Sequence, residues 1–215
     1  MANQSQKILL TLPDFERAFQ VIYSVVNNEG ANMAKACLYF GFIGAAILRK
    51  HYKVPARAAI GSAVYKLDAS NDFLALAERD GNGNIVASQN GFHCWVVTDQ
   101  WVLDFSAPLF REMLEQVGIR KTIERKMLQR PLSITQGNLD CLKSPGDVVL
   151  TEDQALTSHF AQRQQSFKMN EDLEDIAAQW FQRSPKIMDA QIKIGDAKGN
   201  IKQVKLSGPK LNGAW

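Results

Sequence analysis

The chain has 215 residues, of which 46% are hydrophobic and 22% charged, with a net charge of +3. Those values exclude a disordered chain and a polyelectrolyte, and they suit one domain with a buried core. The 25 basic residues are interleaved with 22 acidic ones. The densest basic run, RKTIERK at 120–126, lacks interleaved aromatics and reads as a solvated helix face, so no nucleic-acid surface is expected. Cys37, Cys94 and Cys141 are too few and too irregularly spaced for a disulfide framework, and neither they nor the three histidines show zinc-ligand spacing. The N-terminal MANQSQKILLTLPDFER has no apolar run long enough for a signal peptide, and the longest apolar stretch, 37–48, is too short to span a bilayer. A cytoplasmic, reducing location without membrane contact is the resulting expectation, with the thiols free to act as nucleophiles.

In chain order, Pro13 followed by Asp14 reads as a helix start, and Phe15, Phe19, Ile22, Tyr23 and Val26 recur at helical spacing up to the loop Asn27-Asn28-Glu29-Gly30. A second helix is predicted from about Met33 or Lys35 to His51. Gly41 and Gly44 within it each cost about 1 kcal/mol of helix stability relative to alanine, so a close packing partner is expected. Strands are predicted at 58–65, 72–78 and 85–88, the last two joined by the turn Asp80-Gly81-Asn82-Gly83-Asn84, and then at 92–97 and 101–105. A helix follows at 109–117, with short strands at 132–135 and 147–150. Helices are predicted at 152–165 and 170–182, and a terminal hairpin at 189–194 and 201–206. The reading is a single domain, 1–215, with 185–215 as an appended C-terminal hairpin.

Three features in this order carry chemistry. A cysteine, Cys37, stands at the start of an apolar, glycine-containing helix. A strand then begins Gly91-Phe92-His93-Cys94-Trp95-Val96, and the next ends Trp101-Val102-Leu103-Asp104-Phe105. A thiol at a helix N-terminus feels the positive end of the dipole, which favours the thiolate. A neighbouring imidazole favours it further and returns a proton to a leaving group. A carboxylate behind the imidazole fixes its tautomer and orientation. The hairpin brings His93 and Asp104 together: a four-residue loop, 97–100, pairs them directly, whereas another loop length shifts the register and calls for a bulge.

From Cys37 to Pro108 the sequence resembles the transglutaminase-like branch of the papain-like cysteine enzymes. The matched text is CLYFGFIGAAILRKHYKVPARAAIG, then GFHCWVVTDQWVLDFSAP. The family pattern is a cysteine opening a helix, a segment like G-I-P-A-R-x-x-x-G, a histidine–tryptophan strand, and an aspartate on the next strand. Val54-Pro55-Ala56-Arg57 and Gly61 fit the middle segment, His93 and Trp95 the histidine strand, and Asp104 the aspartate. Lys53 departs from the pattern where the family has glycine, and Cys94 where it has a small residue. The resemblance implies a papain-like, transglutaminase-like α+β fold, with the nucleophile helix packed on an antiparallel β-sheet. It implies Cys37 as nucleophile, His93 as general base and acid, and Asp104 as orienting group, without metal or cofactor. Asn32 is the side-chain candidate for an oxyanion donor beside the Cys37 backbone N–H, and Trp95 a candidate for shielding the His–Asp pair or lining the substrate site.

Blander readings stand beside these. Cys37 reads as a core thiol, His93 as a strand histidine bonded to a backbone carbonyl, and Asp104 as a turn carboxylate. His51 competes as a base, but 14 residues of helix put it ~20 Å from Cys37. His159 reads as a surface residue, Asp99 as a turn residue, Cys94 as core on the opposite strand face from His93, and Arg57 as an ion-pair partner. The functions left open are a thiol hydrolase acting on a peptide or amide-containing substrate through a thioester, an acyltransferase with the same triad, and a non-catalytic binding domain.

Overall fold

The computed structural model describes residues 8–195 and 199–215. The segment 1–7, and with it the start of the N-terminal reading, and part of the 195–200 loop lie outside the described residues.

The first helix, α1 (Leu12–Asn28), begins as its sequence dictates: the Thr11 side chain accepts from the Asp14 amide, and Pro13 sits in the first turn. Its apolar stripe, including Phe15, Phe19, Ile22 and Val25, is fully buried. A 3-10 turn (Met33–Lys35) precedes α2 (Cys37–Tyr52), so this helix starts later than its periodicity predicts, at Cys37 itself. Helix α2 ends at Lys53 in the left-handed conformation, with φ 56°. Among the described residues Lys53 is the non-glycine at positive φ. This is the position where the resembled family has glycine, and a C-terminal left-handed residue is the physical reason for glycine there.

Ten-residue β1 (Ala56–Tyr65) is the centre of the main sheet. Along it lie β2 (Leu74–Leu76), β5 (His93–Thr98) and, later in sequence, β8 (Val148–Glu152). Gly61 pairs with both His93 and Glu152, so β5 and β8 occupy opposite edges of β1. Beyond β5 come β6 (Trp101–Asp104), β7 (Lys126–Pro131) and β11 (Gly213–Ala214). The β11–β7 pair is parallel, so the sheet is mixed where an antiparallel one is expected. The predicted 72–78 strand is two strands: β2 joins the main sheet, whereas β3 (Glu78–Arg79) pairs with β4 (Ile85–Val86) in a separate hairpin. The turn between β3 and β4 is held by Asp80, whose carboxylate accepts from the Asn82 and Asn84 amides.

Helix α3 (Phe110–Gln116) is followed by extended chain, and here the prediction fails. The 120–126 run is not a helix face, and two of its cations are tied to acids elsewhere. Arg125 pairs with Glu112 and Lys121 with Asp68 and Asp72. The run leads into β7, a strand the periodicity does not reveal, while the strand predicted at 132–135 is a 3-10 turn (Leu132–Ile134). Helices α4 (Gln154–Gln165) and α5 (Lys168–Trp180) follow β8, and β9 (Gln191–Gly195) with β10 (Ile201–Lys205) forms the terminal hairpin. Val204 of that hairpin is buried in the main core. The chain end returns to the sheet, with the Trp215 amide donating to the Met127 carbonyl at 3.0 Å.

The glycines of α2 explain themselves. A Cβ on Gly41 would lie 2.3 Å from the Cys94 Sγ, and one on Gly44 2.3 Å from Cδ2 of Phe105. Helix α2 therefore rests its backbone on the sheet, and Cys94, Val96 and Phe105 face it. The alternation of β5 turns His93 and Trp95 to the other side. Gly61 serves a similar purpose: a Cβ there would meet the Thr151 carbonyl of β8. The molecule is thus α+β, with helices packed on a mixed sheet.

Candidate active site

Cys37 is the first residue of α2, His93 the first of β5 and Asp104 the last of β6. Three separate elements deliver the three side chains to one end of the sheet. The hairpin register is not the directly paired one. Val96 lies opposite Leu103 and Val97 opposite Val102, which continues to Trp95 opposite Asp104. The hairpin is tighter because the Thr98 hydroxyl oxygen accepts from the Trp101 amide at 2.9 Å and closes the turn. The two-residue offset keeps His93 and Asp104 on one face as diagonal neighbours, so no bulge is needed. Nε2 of His93 lies 2.8 Å from Oδ2 of Asp104.

Both groups are buried, each 1% exposed, and Cys37 is 9% exposed. A buried carboxylate survives only if its lone pairs are filled. Asp104 accepts from the Tyr65 hydroxyl at 2.8 Å on Oδ2, and from the Ser106 amide and hydroxyl at 2.9 and 2.7 Å on Oδ1. Burial alone would raise its pKa, but the His93 charge, the His93 hydrogen bond, and those from Ser106 and Tyr65 bring it below the usual value. For His93, burial disfavours the imidazolium. The Asp104 charge and hydrogen bond outweigh it, and hydrogen bonding and charge from Cys37 add to them, so the pKa is raised to about 10. Burial, then Asp104, pushes the Tyr65 phenol well above its ordinary range, so it stays a donor. Because Nε2 is taken by Asp104, the ring nitrogen left to the Cys37 thiol is Nδ1.

Aromatic rings hold the imidazole from three sides: Tyr65 edge-on at 5.8 Å, Phe110 at 6.4 Å and Trp95 stacked at 6.5 Å. Trp95 thus lies against His93 and is itself buried. Asn32 is exposed and caps the 3-10 turn before Cys37, its Oδ1 accepting from the Ala34 amide at 3.1 Å. Cys94 is core, packed on Gly41, and burial raises its pKa well above the ordinary thiol value. His51 sits in the last turn of α2, with Nε2 2.7 Å from the Ala178 carbonyl oxygen, and takes no part in the cluster. Arg57 makes a two-pronged pair with Glu152 at 2.5 and 2.8 Å, bracing β1 against β8. Sequence reasoning missed Tyr65 and Ser106. Ser106, two residues after Asp104, carries the signature of a carboxylate-anchored turn. Tyr65 lies 39 residues away from Asp104 and has no local signal.

Among the described residues no group of three or more His, Cys, Asp or Glu is placed to hold a metal ion. No helix there is long and apolar enough to cross a membrane. The family model described as "Protein of unknown function (DUF2026)" matches residues 11–215. A solved structure, described as the crystal structure of genomics APC5867, is 33% identical with a TM-score of 0.86, over 99% of this chain and 100% of that one. No curated protein matches the chain.

Proposed function

The chain belongs to the DUF2026 family of unknown function, and from the site we propose that it is a thiol hydrolase, a peptidase or amidase of papain-like, transglutaminase-like kind. The observation that carries this reading is the buried His93–Asp104 pair, whose carboxylate accepts four hydrogen bonds, one of them from His93, with Cys37 near enough to the ring to contribute to its raised pKa. A merely structural histidine would be satisfied by a backbone carbonyl, as His51 is. Here the histidine is instead oriented by a charged group that holds its proton, and it leaves one nitrogen for a thiol.

In the proposed reaction the Cys37 sulfur attacks the carbonyl carbon of an amide, and His93 delivers its proton to the departing amine. A thioester joins Cys37 to the acyl group. Water then attacks that thioester, His93 takes the water proton, and the carboxylic acid leaves as Cys37 is released. The Cys37 backbone N–H is the proposed donor to the tetrahedral oxyanion. It lies at a helix N-terminus whose cap, Ala36, supplies no side-chain acceptor, so the first-turn amides are not consumed by capping. Asn32 remains the side-chain candidate for the second donor. Asp104 stays ionised throughout and holds the ring in place.

The test is the pH dependence of iodoacetamide labelling at Cys37, located by peptide mass spectrometry, in wild type and His93→Ala. Rapid labelling well below the free-thiol range of ~8.5, slowed by His93→Ala, is the expected result. Slow labelling that His93→Ala leaves unchanged sinks the proposal.

A further inference from the structure

The first turn of α2 borders an open cleft of about 360 Å³, walled by Leu38, Tyr39, Phe160, Phe167 and Met169, with Arg163 at its edge. It borders residues that neighbour the catalytic cluster in the chain or in the core. Leu38 follows Cys37 in the chain, and the ring of Phe92, which precedes His93, packs tilted against Phe160 with centroids 4.6 Å apart. Phe160 and Leu156 of α4 belong to the same apolar cluster as Cys37. The far wall is the α4–α5 connection and the start of α5, where Phe167 and Met169 are each 53% exposed. Two large apolar side chains left half in water, facing the residues next to the thiol, are what an unfilled substrate pocket presents.

The cleft is also firm. Asp153 caps α4 by accepting from the Leu156 amide, and the Thr157 hydroxyl bonds to both the amide and the carbonyl of Ile60 in β1. At the other end the Asn170 amide side chain donates to the Gln164 carbonyl across the connection. Its volume lies near the bottom of the ~300–1,000 Å³ range of small-ligand sites, so it takes one side chain and not a folded segment. Among the described residues Arg163 has no ion-pair partner, so the edge repels a basic group.

We infer that this cleft is the specificity pocket of the proposed thiol site, and that it receives a large uncharged apolar side chain, aromatic or branched, adjoining the scissile bond of a peptide substrate, while disfavouring lysine and arginine. The inference rests on the thiol-hydrolase reading.

Three probes test it: N-iodoacetyl glycinamide, phenylalaninamide and lysinamide. Each alkylates the thiolate by forming a carbon–sulfur bond and releasing iodide. Second-order rates at Cys37 are measured at pH 7 and divided by those of each probe with glutathione. The phenylalanine probe should react about 10-fold or more faster than the glycine probe, the scale on which hydrophobic pockets discriminate. The lysine probe should be no faster than the glycine probe. Phe167→Ala with Met169→Ala should bring the phenylalanine-to-glycine ratio near one, and Arg163→Glu should speed the lysine probe. Phe167 and Met169 are half exposed, so their truncation opens no sealed cavity. A ratio near one in the wild type, or one that survives the double substitution, overturns the pocket. If plain iodoacetamide still labels Cys37 rapidly and His93-dependently, only the pocket has failed. If it does not, both readings fall together.

Discussion

Adding a single methyl group at Gly44 tests the packing that sets α2 on its sheet. In Gly44→Ala the new Cβ would lie 2.3 Å from Cδ2 and 2.7 Å from Cε2 of Phe105, and 3.3 Å from the Val96 Cγ2. The Phe105 ring cannot swing aside, because it is buried and stacks on Phe15 at 4.8 Å. Helix propensity alone favours alanine by about 1 kcal/mol. Overpacking a core costs about 1–3 kcal/mol, and a pinned aromatic ring puts this site near the upper end. The net expectation is a loss of about 1–2 kcal/mol, read by urea unfolding with tryptophan fluorescence. Relief has to come from α2 lifting off the sheet, which moves Cys37 relative to His93, so iodoacetamide labelling should slow as well. Gly81→Ala is the control: nothing lies within 4 Å of a Cβ there, and the change should stay within about 0.5 kcal/mol. Phe105→Leu combined with Gly44→Ala should cost less than the sum of the two single substitutions, as expected for side chains in contact. A Gly44→Ala protein as stable as the wild type, or more stable, would refute the account of this helix.

Asp104→Asn, compared with its parent in a Cys37→Ala background that isolates the His93–Asp104 pair, should destabilise in a pH-dependent way. The His93 pKa, raised chiefly by Asp104, contributes stability that is complete below about pH 6.5 and is lost as pH rises through the raised value. The lowered Asp104 pKa contributes stability that is present above about pH 4 and lost as pH falls below it. The loss in urea stability should therefore be largest between about pH 4.5 and 6.5 and shrink on both sides, whereas a loss that does not vary with pH counts against the ion pair. Tyr65→Phe removes a buried donor to a charged acceptor and should cost about 1.5–3 kcal/mol in the same assay, with a smaller effect on Cys37 labelling than Asp104→Asn, because His93 and Ser106 still bind the carboxylate. Lys53→Gly should stabilise by up to about 1 kcal/mol, seen as a higher urea midpoint, since φ 56° suits glycine better than any residue with a Cβ.

Local rules were enough for α1, α2, the β3–β4 turn and the β5–β6 hairpin, because each carries its own signal: a cap with an apolar stripe, a glycine pair, an Asp–Asn turn, an alternating strand. The order of Cys37, His93 and Asp104 was legible for the same reason, since each stands at an element end that the sequence marks. Strand β7 was not legible. Its residues are half-buried and mixed in character, and what makes them a strand is β6 on one edge and the returning chain end on the other. The His–Asp register was likewise decided by the Thr98 turn, a matter of one hydroxyl, which two-fold alternation cannot resolve.

What the sequence by itself determined was the chemistry available and the elements that carry it: a thiol opening a helix, an imidazole opening one strand and a carboxylate closing the next. Only the tertiary structure decided how those groups are held. Tyr65, from a strand outside the hairpin, bonds to Asp104, Phe110 walls the imidazole, and α4 brings Phe160 into the same buried apolar cluster as Cys37. The physical reason is range. Capping, turns and periodicity act over a few residues, whereas filling a buried carboxylate's lone pairs and walling a cleft recruit side chains that only the folded sheet brings within reach.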